Sequence, residues 1–282
     1  MRDQQQARDW SLALISQGVE STLNHDPITN TWAIEVDAAR CGLALGILKQ
    51  YHLENRGWNL RRELPGVHLA FNWACVSWAA ALVFVHYVAS LPGARLESAG
   101  ALKSEVLSGH EWWRLFTAMT LHKDVGHLTS NLTIGTLLLG LAMARHGIGL
   151  GLLGPWLAGA LGNLAALFVY GPHYASLGAS GMVLATLGIL TVAGVSEGIH
   201  RRPGWKSLFA TLSAGLMLFL VTGASPESDL VVHLGGFIAG LLMGGALEYL
   251  QFRGANRTWL QSVAWGLTLG TGAAAWLCAL AR

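Results

Sequence analysis

Residues 146–196 read HGIGLGLLGPWLAGALGNLAALFVYGPHYASLGASGMVLATLGILTVAGVS and contain no Asp, Glu, Lys or Arg. A helix needs roughly 20 apolar residues to cross the hydrocarbon of a bilayer, so this run is long enough for two crossings. Tyr170-Gly171-Pro172-His173 interrupts it with a turn signal and splits it into spans at 148–170 and 178–196. On either side, further charge-free runs cover 67–94, 125–144, 207–226, 230–247 and 258–281, which makes seven spans. Composition agrees: charged residues are 12% and apolar residues 52% of the chain, and the mean hydropathy is +0.44. Such values lie far from those of a soluble globular protein. The fold class expected is an all-α polytopic membrane protein, with a polar segment before its first span.

Cys41, Cys75 and Cys278 are isolated and show no CxxC spacing. They suggest neither a metal site nor a disulfide framework and read as packing residues. The net charge of +2 comes without a basic stripe. A nucleic-acid partner is therefore excluded, no cofactor is expected, and nothing in the sequence specifies an oligomeric state.

Lys and Arg fall mainly on one side of the spans. Arg145 follows the second span, Arg201, Arg202 and Lys206 follow the fourth, and Arg253 and Arg257 follow the sixth, whereas 171–177 and 221–230 have none. By the positive-inside tendency that side is cytoplasmic, together with the N-terminus and its Arg56, Arg61 and Arg62. No basic-then-apolar leader opens the chain, so no signal peptide is expected and the first span directs insertion. The loop 92–125, with balanced charges, lies outside.

Residues 1–66 read as a small α+β cytoplasmic domain. Thr31-Trp32-Ala33-Ile34-Glu35-Val36 alternates as a short strand. Asp37 is placed as the N-cap of a helix whose face is Leu43, Ile47 and Tyr51, backed by Ala44 and Leu48, and which ends at Asn55-Arg56-Gly57.

The polar residues inside the spans carry the chemistry. Ser180, in Gly178-Ala179-Ser180-Gly181, opens the fourth span, where its backbone N–H is one of the amides a helix N-terminus leaves unpaired. His127 and Asn131 are four apart at the start of the second span and share a helical face. His233 opens the sixth and shares a face with Gly236 and Gly240. Taken one at a time, each is explained by packing or a hydrogen bond between helices. Parity changes that balance. With the N-terminus inside, the second, fourth and sixth spans all run inward, so these residues converge at nearly one depth. A serine beside a neutral imidazole is the minimum for nucleophilic attack on a carbonyl, and the resulting oxyanion needs donors such as Asn131, His127 and the Ser180 amide. Glu197 and Glu248 lie at the far ends of their spans, which leaves a Ser–His dyad without a carboxylate. Met182 stands where a G-x-S-x-G elbow requires glycine, and no H-E-x-x-H occurs. In Gly109-His110-Glu111-Trp112-Trp113-Arg114 the tryptophans and arginine suit the membrane interface, with the guanidinium on a phosphate or a carbonyl.

Trp113-Arg114, His127-x-x-x-Asn131, Gly178-Ala179-Ser180-Gly181 and His233-x-x-Gly236-x-x-x-Gly240 occur in an order that resembles the rhomboid intramembrane serine proteases, over about 65–250. The resemblance implies Ser180 as nucleophile and His233 as general base and then acid, with His127, Asn131 and the Ser180 amide as the oxyanion hole. Trp113 and Arg114 would belong to a lipid-embedded loop. It also implies a division into 1–66, a six-span core at 67–250, and 251–282 with an added seventh span that braces the bundle. The expected partners are the lipid bilayer and transmembrane protein substrates, cut near their outer ends at helix-weakened sites in a bacterial cytoplasmic membrane. Leu184 departs from the family: bacterial members often place a tyrosine there against the imidazole. An inactive, helix-binding rhomboid-like protein is the alternative. A proton-coupled transporter fits less well, because the midplane carries no charges and no internal repeat is visible.

Overall fold

The computed structural model describes residues 4–27, 29–55, 70–170, 174–201, 204–223, 229–252 and 258–282. The chain divides into two units, Met1–His68 and Leu69–Arg282.

The first unit runs α1 (Gln4–Ser16), β1 (Ser21–Asp26), β2 (Thr31–Val36), a 3-10 turn (Ala38–Arg40) and α2 (Cys41–Glu54). The two strands form an antiparallel hairpin with Ser21 opposite Val36 and Asp26 opposite Thr31. Asp37 caps the turn that leads into α2 by accepting the Ala39 N–H at 3.0 Å. At the other end, Asn55 donates its side-chain amide to the Tyr51 carbonyl at 2.7 Å. Leu14, Val19 and Ala44 make a small core with Ile34, Val36, Ile47 and Leu48. Two features differ from the sequence reading. α1 and β1 were not expected, and Leu43 is 58% exposed, so the inner face of α2 runs through Ala44, Ile47 and Leu48 instead.

The second unit holds α3 (Cys75–Ala89), α4 (Leu96–Gly100), β3 (Leu102–Lys103), α5 (Glu105–Ser108), α6 (Arg114–Thr117), α7 (Val125–His146), α8 (Ile148–Val169), β4 (Ala175–Ser176), α9 (Ser180–Arg201), α10 (Trp205–Gly223), α11 (Leu230–Phe252) and α12 (Thr258–Leu280). Each expected span has its helix. Among the described residues five are long and apolar enough to cross a membrane, while α3 and the apolar stretch Leu208–Gly223 are shorter. α3 starts at Cys75 rather than 67, because Asn72 makes a turn there by accepting the Ala74 N–H. Of the predicted break after α8, Gly171, Pro172 and His173 lie outside the described residues.

Local chemistry sets the helix ends near the site. Asp124 caps α7 by accepting the His127 N–H at 2.8 Å. Gly147, at φ +87°, makes the reversal between α7 and α8 that a side chain would strain. α9 packs against α7, α8, α10 and α11 and forms the centre of the unit. Its contact with α11 is backbone on backbone: a Cβ at Gly236 would lie 3.3 Å from Gly181 Cα, one at Gly240 2.8 Å from Ala185 Cα, and one at Gly244 3.0 Å from Ile189 Cα. Small residues are what allow membrane helices this approach. The segment between α3 and α7 is folded rather than loose: β3 pairs with β4, Leu102 opposite Ser176, over a core of Leu102, Val106, Ala118 and Leu167.

Candidate active site

α9 and α11 bring Ser180 and His233 together. Ser180 Oγ lies 2.7 Å from His233 Nε2, and His233 Nδ1 lies 2.7 Å from the carbonyl oxygen of Gly223, the last residue of α10. A carbonyl only accepts, so the second contact assigns the ring proton to Nδ1 and leaves Nε2 to accept the Ser180 O–H. That is the tautomer a general base requires. Glu197 and Glu248 sit at the opposite end of the bundle, where Arg145 binds Glu248 through two contacts of 3.0 and 2.8 Å and approaches Glu197 at 3.6 Å. The ring of His233 is thus oriented by a backbone carbonyl instead of a carboxylate.

His127 and Asn131, on α7, face Ser180 across the turn at Gly178. That glycine has φ +141°, and a Cβ there would lie 2.6 Å from His127 Cε1 and 3.8 Å from Asn131 Nδ2. Glycine is therefore needed twice, for its dihedral and for the space the imidazole occupies. Asn131 is buried, and its Nδ2 has no hydrogen-bond partner among the described residues. A buried donor without an acceptor costs free energy and calls for an explanation. His127, Asn131, Ser176, Ser180, Leu184 and His233 line one open cleft of ≈ 1530 Å³. Lys103, Lys123, Asp124 and Asp229 line the same cleft. Asp229 accepts both the Val232 N–H (3.1 Å), capping α11, and the hydroxyl of Tyr174. Burial and this carboxylate push the Tyr174 phenol upward in pKa, which keeps it a donor.

Three contributors were not singled out from the sequence. His122 is buried, accepts the Ala179 N–H through Nε2 at a long 3.4 Å, and meets the His127 ring edge-on at 5.2 Å between centroids. Burial, and then the neighbouring His127 and His86, hold its pKa down to about 4, so the ring is neutral and able to accept. Asn163 of α8 donates to the Leu115 carbonyl at 2.8 Å and pins the segment before α7. Gly223 acts through its carbonyl, which any residue possesses. Polar residues within charge-free helices were the available signal, and of these three it reaches Asn163 alone.

Of the two partners the sequence left open for Arg114, a phosphate or a carbonyl, the structure shows carbonyls. Trp113 and Arg114 are both buried. Arg114 binds the Glu111 carboxylate and donates to the carbonyls of Ser98 (3.1 Å) and Ala101 (2.8 Å), so it fastens the segment from within. Trp113 packs on Ala275 and Ala279 of α12. Trp112, 44% exposed, is the member of the pair that faces outward. Gly181, Gly236 and Gly240 form the close seam between α9 and α11 described above. Among the described residues no cluster of three or more His, Cys, Asp or Glu is arranged to hold a metal ion.

A rhomboid-domain family model matches residues 109–249, half of the chain. The chain is 32% identical over 154 residues to rhomboid protease GluP of Bacillus subtilis strain 168, a match that covers 52% of this chain and 28% of that protein. It is 31% identical over 155 residues to RHOMBOID-like protein 1 of Arabidopsis thaliana (53% and 38%). It is also 33% identical over 147 residues to inactive rhomboid protein 2 of Homo sapiens (50% and 16%). The chain spans less than half the length of these relatives. The match runs from the folded segment before α7 to the end of α11 and so includes Trp113, Arg114, His127, Asn131, Ser180 and His233: the chain belongs to the rhomboid family and is an integral membrane protein.

Proposed function

We propose that this protein is an intramembrane serine endopeptidase. The reading rests on the 2.7 Å contact between Ser180 Oγ and His233 Nε2 with Nδ1 held on Gly223. His233 Nε2 takes the hydroxyl proton as Oγ bonds to the substrate carbonyl carbon, and the oxygen becomes an oxyanion. The unpaired Asn131 Nδ2, His127 and the Ser180 amide at the start of α9 donate to it, and removal of one such donor typically costs about 10²–10³ in rate. As the C–N bond breaks, His233 returns the proton to the leaving amide nitrogen. A water then hydrolyses the acyl-enzyme by the same route and regenerates Ser180.

The substrate is the transmembrane helix of another membrane protein, cut near the end that lies on the side of the cleft. A helix buries its carbonyls in its own hydrogen bonds, so residues that weaken it, glycine or proline, are expected near the cut. The bias of Lys and Arg toward the end of the bundle opposite Ser180 supports a cytoplasmic N-terminus and a site facing the outer leaflet of a bacterial cytoplasmic membrane. In this reading 1–66 is a cytoplasmic domain, 67–250 the protease core, and 251–282 the added turn and helix.

The test is cleavage of a model transmembrane substrate by purified protein in detergent. Ser180→Ala and His233→Ala are each expected to abolish cleavage while the helical content is unchanged; persistent cleavage in either variant ends the assignment. The second reading, a helix-binding protein without activity, draws on Leu184 at the position where the family often has tyrosine and on the relative named inactive. It is favoured if a serine-directed fluorophosphonate leaves Ser180 unlabelled in folded protein.

A further inference from the structure

α12 lies outside the region that the family model covers, yet it is fastened to this fold at three levels. At the end opposite Ser180, the Gln261 side chain accepts the N–H groups of Gly149 (2.9 Å) and Leu150 (3.1 Å) and donates to the carbonyl of His146 (2.8 Å). These are the orphan groups where α7 stops and α8 starts, and a primary amide is suited to both because it donates and accepts. Midway, Thr271 Oγ1 accepts the Trp156 indole N–H at 3.0 Å. At the site end, Trp276 Nε1 donates to Thr120 Oγ1 at 3.2 Å, and its ring edge would meet a Cβ at Gly100 at 2.9 Å. Arg282 adds a contact of 2.9 Å to Glu111 and stands 5.2 Å above the Trp113 ring.

Where these contacts land matters more than their number. Lipid offers no hydrophobic drive for one helix to join others, so small-residue packing and polar contacts must hold α12 in place. The outermost contacts do not fall on another membrane-length helix. They fall on the segment 96–121, whose short helices leave many backbone groups that lipid would not satisfy. Thr120 is two residues from His122, which accepts the Ala179 N–H, and four from Asp124, which caps the helix carrying His127 and Asn131. The path from the Trp276 indole to the residues flanking Ser180 is therefore short: a hydrogen bond to Thr120, two residues of main chain to His122, and the His122 contact with the Ala179 N–H.

We propose that α12 is a strut whose Trp276 positions the segment 96–121, and through Thr120 and His122 the turn before Ser180, so that the seventh helix sets the reactivity of the site and not only the stability of the bundle. Trp276 acts here as a positioning residue. The proposal rests on Ser180 being the nucleophile.

The experiment uses the full chain in detergent, with Trp276→Phe, Trp276→Ala and, as control, Trp265→Ala on the exposed side of the same helix. Two quantities are read: hydrogen exchange of amides in 96–121, and the labelling of Ser180 by a fluorophosphonate, resolved into its maximal rate and its half-saturating concentration. Trp276→Phe keeps most of the packing and removes the N–H, so it remains informative should the alanine variant fail to fold. It is expected to speed exchange across 96–121 and lower the maximal labelling rate roughly 10- to 100-fold, the scale of a small misplacement of reacting groups, with the half-saturating concentration within about twofold. Trp265→Ala should change neither. Unchanged exchange in Trp276→Phe, or equal loosening of the same amides in Trp265→Ala, overturns the strut. A wild-type protein whose Ser180 does not react overturns the functional reading instead, and hydrogen exchange still decides whether α12 holds the segment.

Discussion

The Nδ1 of His233 lies 2.7 Å from the carbonyl oxygen of Gly223, so a backbone group at the end of α10 fixes the ring that faces Ser180. No side chain can be deleted to test this, but the carbonyl can be moved. A Cβ at position 223 would lie 2.8 Å from Leu184 Cδ1 and 3.2 Å from Phe219 Cε2. The tip of Leu184 can give way to one methyl group, so Gly223→Ala should label with fluorophosphonate at near wild-type rates. The two branches of valine cannot both be accommodated without shifting the end of α10. Gly223→Val is expected to lose roughly 10- to 100-fold in labelling rate. Wild-type labelling of the valine variant would show that the carbonyl does not orient the imidazole.

Asn131 gives a case in which activity and stability part company. Its Nδ2 is buried and has no partner among the described residues, so the folded protein bears a desolvation cost there, about 1–3 kcal/mol for such a group. Asn131→Leu removes the donor and keeps the branched outline of the side chain. Its thermal midpoint should equal or exceed that of the wild type, while cleavage falls about 10²–10³-fold for want of an oxyanion donor. A variant that is less stable and still active would mean that Asn131 is a structural hydrogen-bonding residue and no part of the oxyanion hole.

How much of this was legible in the sequence depended on whether a residue acts through its type or through its surroundings. Runs without charge marked the seven helices, because lipid excludes charge whatever the tertiary packing. The seam of Gly181, Gly236 and Gly240 was legible for a similar reason, since only small residues at helical spacing allow backbones to touch. β1 was not: Ser21-Thr22-Leu23-Asn24-His25-Asp26 shows no alternation, and it is a strand because β2 pairs with it. α1 likewise carries polar residues on most of its surface, with Ala7, Ser11 and Leu14 alone buried. Arg114 was legible in part: a carbonyl was one of the two partners its sequence setting left open, and the choice between them was not. An arginine beside tryptophans satisfies its guanidinium equally well at a headgroup or on Glu111 and two carbonyls, and the folding of 96–117, which decides between them, has no local signature. Gly223 and His122 contribute a carbonyl and an acceptor whose partners lie 10 and 57 residues away in the chain.

Gly178 carries two constraints that a single methyl group violates together. At φ +141° an alanine is strained, which costs of the order of 1–3 kcal/mol. Its Cβ would also lie 2.6 Å from His127 Cε1 and 2.8 Å from Nε2. The imidazole must swing away or the turn before Ser180 must move. Gly178→Ala is expected to lower the thermal midpoint and to reduce cleavage by at least about 10², more than the loss of stability alone accounts for. The check is to compare cleavage at a temperature well below both midpoints; full activity there would place His127 outside the reacting site.

The acid sensitivity of the fold should pass through His122. Its folded pKa, about 4, lies below the ~6.5 of an exposed histidine because burial disfavours the imidazolium. The unfolded chain therefore binds the proton first. Stability contributed by the neutral ring is complete above pH ~6.5, is lost progressively as pH falls toward about 4, and amounts to roughly 3 kcal/mol over that interval. His122→Gln supplies a carbonyl oxygen to accept the Ala179 N–H and does not titrate. Thermal midpoints of the two proteins, measured in detergent from pH 7.5 down to 4.5, should converge or cross as the pH falls, with the glutamine variant gaining on the wild type. Parallel curves would mean that His122 takes up its proton in the folded protein as readily as in the unfolded chain, and its ring would not then be the neutral acceptor that holds Ala179 in place.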